Sequence, residues 1–207
     1  MKNRKIFIAF IFTISLLSSG IIAFANNESP KGGLGGYSIE GLPNSHQVDK
    51  NAGYFHLCEK PSEEDQIKVK LINDSEEDKH LSIKVVDGNT NINGDIDYTG
   101  TLKNHPELTQ PLTSILKVER PEVTVPKHST VESTLKLKMP SRSFTGIILG
   151  GIVVSEVQNN RSHSSGLTNT YSYTLGCVLT NVKTNEMKKN ISVSLDKVGA
   201  KLFDGKK

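Results

Sequence analysis

The chain has 207 residues, with 25 Lys and Arg against 22 Asp and Glu. Three of the bases (Lys2, Arg4 and Lys5) stand at the very start, and without them 22 bases balance 22 acids, which excludes the concentrated basic face that nucleic acid requires. There is no Trp and aromatics make up 6% of the chain, so sugar stacking on indole is excluded as well.

In chain order, residues 1–25 read as a signal peptide. Lys2, Arg4 and Lys5 precede the apolar run 6–17, and Ala23-Phe24-Ala25 places small residues where a signal peptidase reads them. The run is shorter than the ~20 residues of a membrane span, so the expected mature chain, 26–207, is exported and carries no membrane span. Residues 26–36, NNESPKGGLGG, read as a flexible leader. KGGLGG lacks the Gly-Lys-Ser/Thr ending of a phosphate loop.

From Tyr37 onward the pattern is β. Ile67, Val69 and Leu71 alternate with polar residues, as do Leu81, Ile83 and Val85. Val131, Ser133, Leu135, Leu137 and Met139 share one parity, as do Tyr171, Tyr173, Leu175, Cys177 and Leu179, and then Ile191, Val193 and Leu195. Period two marks half-buried strands. Turn clusters lie between them at 73–79, 103–108, 158–166 and 181–186. The run 144–156 does not alternate and reads as a central strand covered on both faces, its Gly150-Gly151 pair implying a bulge or a close approach of another backbone. Glu63-Glu64-Asp65 and Glu76-Glu77-Asp78 read as solvated turns, a cation site only if the fold brings them together. The expected architecture is all-β, an antiparallel β-sandwich.

Residues 89–98, NTNINGDIDY, resemble half of a calcium loop. Counting from Asn89, however, puts Gly100 where a bidentate Glu is required, and a strand precedes where a helix should be. The stretch reads better as a polar turn at Asn93-Gly94 leading into a strand, with Asp95 and Asp97 on one face. A weak cation site at Asp95 and Asp97 stays open. So does pairing of Cys58 with Cys177, which export would permit.

No catalytic set is present: no Gly-x-Ser-x-Gly, no His-Glu-x-x-His, and six His (46, 56, 80, 105, 128, 163) in no zinc spacing. Leu42-Pro43-Asn44-Ser45-His46 lacks the ending and the apolar tail of a sortase signal. No enzyme, cofactor or metal ligand set is expected.

Several segments in order carry a resemblance. They are Leu42-Pro43, Gln47, Asp49, Gly53-Tyr54-Phe55-x-Leu57, Thr90-Asn91-x-Asn93-Gly94-x-Ile96-x-Tyr98, Pro126 with Ser129, Met139-Pro140, and Phe144-x-Gly146-Ile147-Ile148-Leu149-Gly150-Gly151-Ile152. Together, over roughly 36–198, they resemble the WxL-interacting protein family of Gram-positive cell-surface proteins. The resemblance implies an immunoglobulin-like sandwich over 37–198, the family's first, peptidoglycan-binding domain. It also implies a second sandwich domain and a membrane anchor, for which the tail 199–207 leaves no room. The expected function is a non-catalytic, cell-wall-associated binding module, secreted to the cell surface, with peptidoglycan and WxL-type surface proteins as partners. The alternative is a protein-interaction module that pairs with WxL-type proteins or neighbouring sandwich domains. Without Trp, recognition would rest on hydrogen bonds. The candidate groups are Asn89, Asn91, Asn93, Asp95, Asp97 and Tyr98, and the loop 158–170.

Overall fold

The computed structural model describes residues 33–42, 44–157, 170–182, 195 and 198–199. The expected signal peptide, most of the expected leader, all but the last residue of the expected 158–170 loop and nearly all of the strand predicted over 191–198 lie outside the described residues.

Among the described residues, two sheets face each other. The first has the order β1 (Tyr37–Leu42), β3 (Glu64–Asn73), β9 (Ser129–Lys138), β7 (Leu116–Val118). The second has the order β2 (Phe55–Cys58), β11 (Ser172–Thr180), β10 (Ile148–Glu156), β4 (Lys79–Asp87), β8 (Glu122–Val125). β5 (Asn89–Thr90) and β6 (Ile96–Asp97) form a separate hairpin, and α1 (Leu112–Ile115) is a single helical turn. Every pairing is antiparallel except β2 with β11. The expected immunoglobulin-like β-sandwich is the fold observed.

The alternating residues build the core. Ile67, Val69 and Leu71 of β3 meet Leu135 and Leu137 of β9, and across the sandwich lie Leu81, Ile83, Ile152, Val154, Cys177 and Leu179, all buried. Each such aliphatic side chain contributes about 1.5–3 kcal/mol by leaving water. Asn73, at the inner end of β3, is also buried, and its Nδ2 donates to Glu77 O (2.8 Å) and Val125 O (2.9 Å). That amide ties the end of the first sheet to β8 of the second.

Of the run 144–156, Ile148–Glu156 form β10, the middle strand of its sheet, while residues 144–147, with Gly146 at φ 108° and Ile147 exposed, turn into it outside the strand. Its register with β11 and β4 is continuous, so the glycines mark close approach rather than a bulge. A Cβ on Gly150 would strike Val86 O and Leu112 Cδ2. Gly150 therefore admits Leu112 of α1 into the core. On the opposite face Gly151 pairs with Gly176, and a Cβ on Gly151 would lie 3.0 Å from Tyr98 Cδ1. The paired glycines make a flat bed for the Tyr98 ring. This explains why the run lacks alternation: both faces of β10 are covered.

Cys58 and Cys177 are free. Cys177 pairs with Phe55 and Cys58 with Thr180, so the two cysteines are three residues out of step, about 10 Å along the strand. A disulfide tolerates at most ~7 Å between Cα atoms. Cys177 also faces the core, whereas Cys58 follows buried Leu57 and faces the other way.

Candidate binding surface

The hairpin built from the Asn- and Asp-rich stretch is a five-residue loop, 91–95, rather than a two-residue turn. Gly94 alone is left-handed (φ 86°). Asn91 organises the loop: its Oδ1 accepts from Asn93 N (2.9 Å) and Asp95 N (3.0 Å). Asp97 Oδ1 accepts from Thr99 N (2.8 Å) and Thr99 Oγ1 (2.6 Å). Asn89 Nδ2 donates to Asn104 Oδ1 (3.0 Å), and Asn104 Nδ2 donates to Asp87 Oδ2 (2.8 Å). Tyr98 lies on its glycine bed. Of the six candidate residues, four therefore serve the local fold. The Asn93 and Asp95 side chains alone project without a hydrogen bond to another described residue. Ile92 at the tip is fully exposed.

A concave surface lies elsewhere, at the open edge of the sandwich. A cleft of about 380 Å³ is bounded by Ile39 to Gly41 of β1, by the loop from Lys50 to Tyr54, and by Phe55 and Leu175. Gln47 shapes it. This buried amide donates from Nε2 to Asp49 O and Tyr54 O (both 2.9 Å) and accepts from His56 N (3.3 Å), so one side chain closes the loop on itself. Asp49 Oδ1 takes Asn51 N (2.9 Å). Tyr54 is 46% exposed and stacks on His56 (centroids 6.4 Å, planes 16° apart). Lys50 and Asn51 line the same cleft, and Lys50 has no ion pair among the described residues. A larger hollow of about 770 Å³ runs across β7 and β9, but its lysines are committed. Lys136 pairs with Glu119 (3.0 Å), Lys138 with Glu64 (2.7 Å), and Lys117 Nζ donates to Thr113 O (2.6 Å).

A third group gathers four residues from within the stretch 46–65. His46 Nδ1 stands 3.1 Å from Glu59 Oε1 and 3.2 Å from Asp65 Oδ2, and His46 Nε2 stands 3.4 Å from Glu63 Oε1. Asn44 Nδ2 also donates to Asp65 Oδ2 (2.7 Å). Glu59 is 1% exposed, and neither of its carboxyl oxygens accepts a hydrogen bond. An unsatisfied buried polar group costs about 1–3 kcal/mol, more if charged. Burial foremost pushes the Glu59 carboxyl up to about 8; the His46 imidazole opposes this and the charges of Asp65 and Glu63 add to it. His46 is raised, chiefly by its hydrogen bond to Asp65, and Glu63 is lowered, chiefly by the Lys60 backbone N–H. The run Glu63-Glu64-Asp65 is thus only partly a solvated turn. Glu63 and Asp65 face the cluster while Glu64 turns to Lys138. No local spacing could have signalled this, because His46 and Glu59 arrive on different segments.

Residues 37–156 match the family model described as WxL Interacting Protein, peptidoglycan binding domain. The chain belongs to that family. In this WxL-interacting protein the match runs from the first residue of β1 to the last of β10, and β11 completes the second sheet beyond it. No curated protein sequence matches significantly. Among solved structures, the chain is similar to a PapD-like domain of human CEP192 (10% identity, TM-score 0.41, covering 72% of this chain and 87% of that one). It is also similar to a FixG-related protein from Vibrio parahaemolyticus (10%, 0.38, covering 70% and 95%) and to the E. coli chaperone DraB (10%, 0.37, covering 58% and 48%). These distant likenesses carry no argument about function.

The segments that carried the family resemblance fall into place in this WxL-interacting protein. Gln47, Asp49 and Gly53 to Phe55 build the cleft and its loop, and Leu57 is buried in the core. Phe144 to Ile152 lead into and form the central strand, where Phe144 N is held by Asn181 Oδ1 (3.0 Å).

Proposed function

We propose that this domain is an exported, non-catalytic module that binds peptidoglycan at the cell surface, with the cleft beside Tyr54 as its contact surface. The family assignment supports the ligand. The observation that supports the place is a concave site with a half-exposed aromatic ring (Tyr54), a cation without an ion pair among the described residues (Lys50) and an amide (Asn51) around one opening. The cleft volume falls within the ~300–1,000 Å³ of ordinary ligand sites. Tyr54 would lie against the apolar face of a sugar, and Lys50 would pair with a carboxylate of the peptide stem. Asn93 and Asp95 of the hairpin form a second, convex contact.

Co-sedimentation of the purified chain with protein-free sacculi across a salt series tests this. Retention at moderate salt, lost in Tyr54→Ala and Lys50→Ala but kept in Asn93→Ala and Asp95→Ala, supports the cleft. The reverse pattern moves the site to the hairpin. Absence of pelleting ends the wall-binding reading and leaves partner binding. For that reading the feature is β1, an edge strand of its sheet whose outer side could pair with a strand of a WxL-type protein.

A further inference from the structure

The His46–Glu59–Glu63 cluster is more than an ion-pair knot. The ligand-capable atoms of these three residues all lie within 4.8 Å of one another. Two ligands on one tetrahedral zinc, each bonded at about 2.1 Å, stand roughly 3.4 Å apart. The 3.4 Å from His46 Nε2 to Glu63 Oε1 matches that edge length, and a Glu59 oxygen lies within 4.8 Å of the same group. The backbone also holds the groups in place. Glu59 N donates to Thr180 O (2.9 Å) and Glu59 O accepts from Asn181 Nδ2 (2.9 Å), so its side chain is locked facing inward. Glu63 O accepts from Met139 N (2.8 Å), and His46 O accepts from Cys58 N (3.1 Å). Glu59 is thus a buried carboxyl group whose oxygens face the His46 imidazole, 3.1 Å away, and the Glu63 carboxyl.

We infer that His46, Glu59 and Glu63 bind a divalent first-row ion of the zinc class, with Asp65 as the positioning residue. Asp65 accepts the Nδ1 proton of His46 and leaves Nε2 to the ion, the arrangement in which a carboxylate orients a ligating imidazole. One nitrogen with carboxylate oxygens suits zinc better than calcium, which prefers six to eight oxygens. The site is independent of the wall-binding reading and is tested with metal alone.

The purified chain, freed of metal with EDTA, is titrated with zinc chloride by calorimetry, and its thermal midpoint is followed in parallel. One equivalent bound with a rise in midpoint is expected. Affinity should fall by at least tenfold in His46→Gln and Glu63→Gln and by about tenfold in Asp65→Asn. Glu64→Gln, which removes the same charge from the neighbouring residue that turns to Lys138, should leave it unchanged. Glu59→Gln, checked for folding by circular dichroism, should abolish binding. Because Glu63 is partly exposed, Glu63→Gln keeps the test decisive should Glu59→Gln misfold. No heat and no shift in midpoint, zinc binding indifferent to His46→Gln and Glu63→Gln, or a preference for calcium would each overturn the inference.

Discussion

Asp87 is the residue whose loss should most disturb the surface around the hairpin. It ends β4, is 8% exposed, and takes three hydrogen bonds: from Thr113 N (2.8 Å), Thr113 Oγ1 (2.9 Å) and Asn104 Nδ2 (2.8 Å). The turn α1 has Pro111 at its cap position, with no side-chain hydrogen bond there. Asp87 supplies the missing acceptor from a neighbouring strand. Hydrogen bonds to a charged group contribute about 1.5–3 kcal/mol each, but Asn104 and Thr113 can regain water and Asp87 itself no longer needs desolvating. The expected net loss for Asp87→Ala is therefore about 2–3 kcal/mol. With a urea slope near 2 kcal/mol/M, the midpoint should fall by roughly 1–1.5 M. Asp87→Asn keeps one acceptor and should lose about half as much. The assay is equilibrium urea unfolding followed by circular dichroism. A midpoint within about 0.3 M of the parent with an unchanged slope would refute the claim that this carboxylate anchors α1 and the 98–111 segment.

Three further outcomes follow from the same contacts. Gly150→Ala should destabilise by about 1–3 kcal/mol, because the new methyl meets the Val86 carbonyl and Leu112, whereas Gly53→Ala, with nothing within 4 Å, should leave the urea midpoint nearly unchanged. Tyr98→Ala should cost about 1–2 kcal/mol by uncovering Gly151 and Gly176, while Tyr98→Phe should be close to neutral in both stability and sacculus binding, since the ring rather than the hydroxyl fills the space. Burial pushes the Cys177 thiol from 9.0 up to about 12, and burial chiefly pushes the Tyr37 phenol from 10.0 up to about 12. In both groups the folded state favours the neutral form, so their contribution is whole below the unfolded values and is lost as pH rises from 9.0 through about 12. Urea midpoints at pH 8 and pH 11 should show that loss, and Tyr37→Phe with Cys177→Ala should flatten it.

The strands of the two sheets were legible because their side chains must alternate between core and water. That pattern placed Ile67 to Leu71, Leu81 to Val85, Val131 to Met139 and Leu175 to Leu179 on the correct faces. The Gly150-Gly151 pair was legible as a close approach but not as to what approaches. Leu112 and Tyr98 come from the long excursion between β4 and β7, and no local rule couples them to β10. The parallel pairing of β2 with β11 was hidden for the same reason, since the partners lie about 120 residues apart. The polar hairpin was found, but which of its side chains its own backbone would engage was not. An Asn- or Asp-rich turn spends its side chains on its own backbone, as Asn91 and Asp97 do, before any remain for a ligand. Conversely, the cleft residues Lys50, Asn51 and Tyr54 carry no spacing signal. What gathers them around one opening is Gln47, which folds their loop back on itself.

Gln47 and His46 are neighbours, and that adjacency decides how the two proposed sites relate. Residues 46–48 lie along the free edge of β2, with Val48 N donating to His56 O (2.8 Å) and Cys58 N donating to His46 O (3.1 Å). The cleft loop leaves this segment at one end of β2, and Glu59 leaves β2 at the other. Gln47 turns under the cleft loop while His46 turns to the carboxylates, so the same short segment serves both. An ion bound by His46 would fix the backbone from which the Gln47 amide holds the cleft closed. Removing it would leave Gln47 and its three hydrogen bonds in place. Substitutions in the cluster should therefore reduce retention on sacculi less than Tyr54→Ala does. A cluster variant that abolished retention while Gln47 stayed ordered would show instead that the ion itself touches the wall polymer, through carboxylates of the peptide stem.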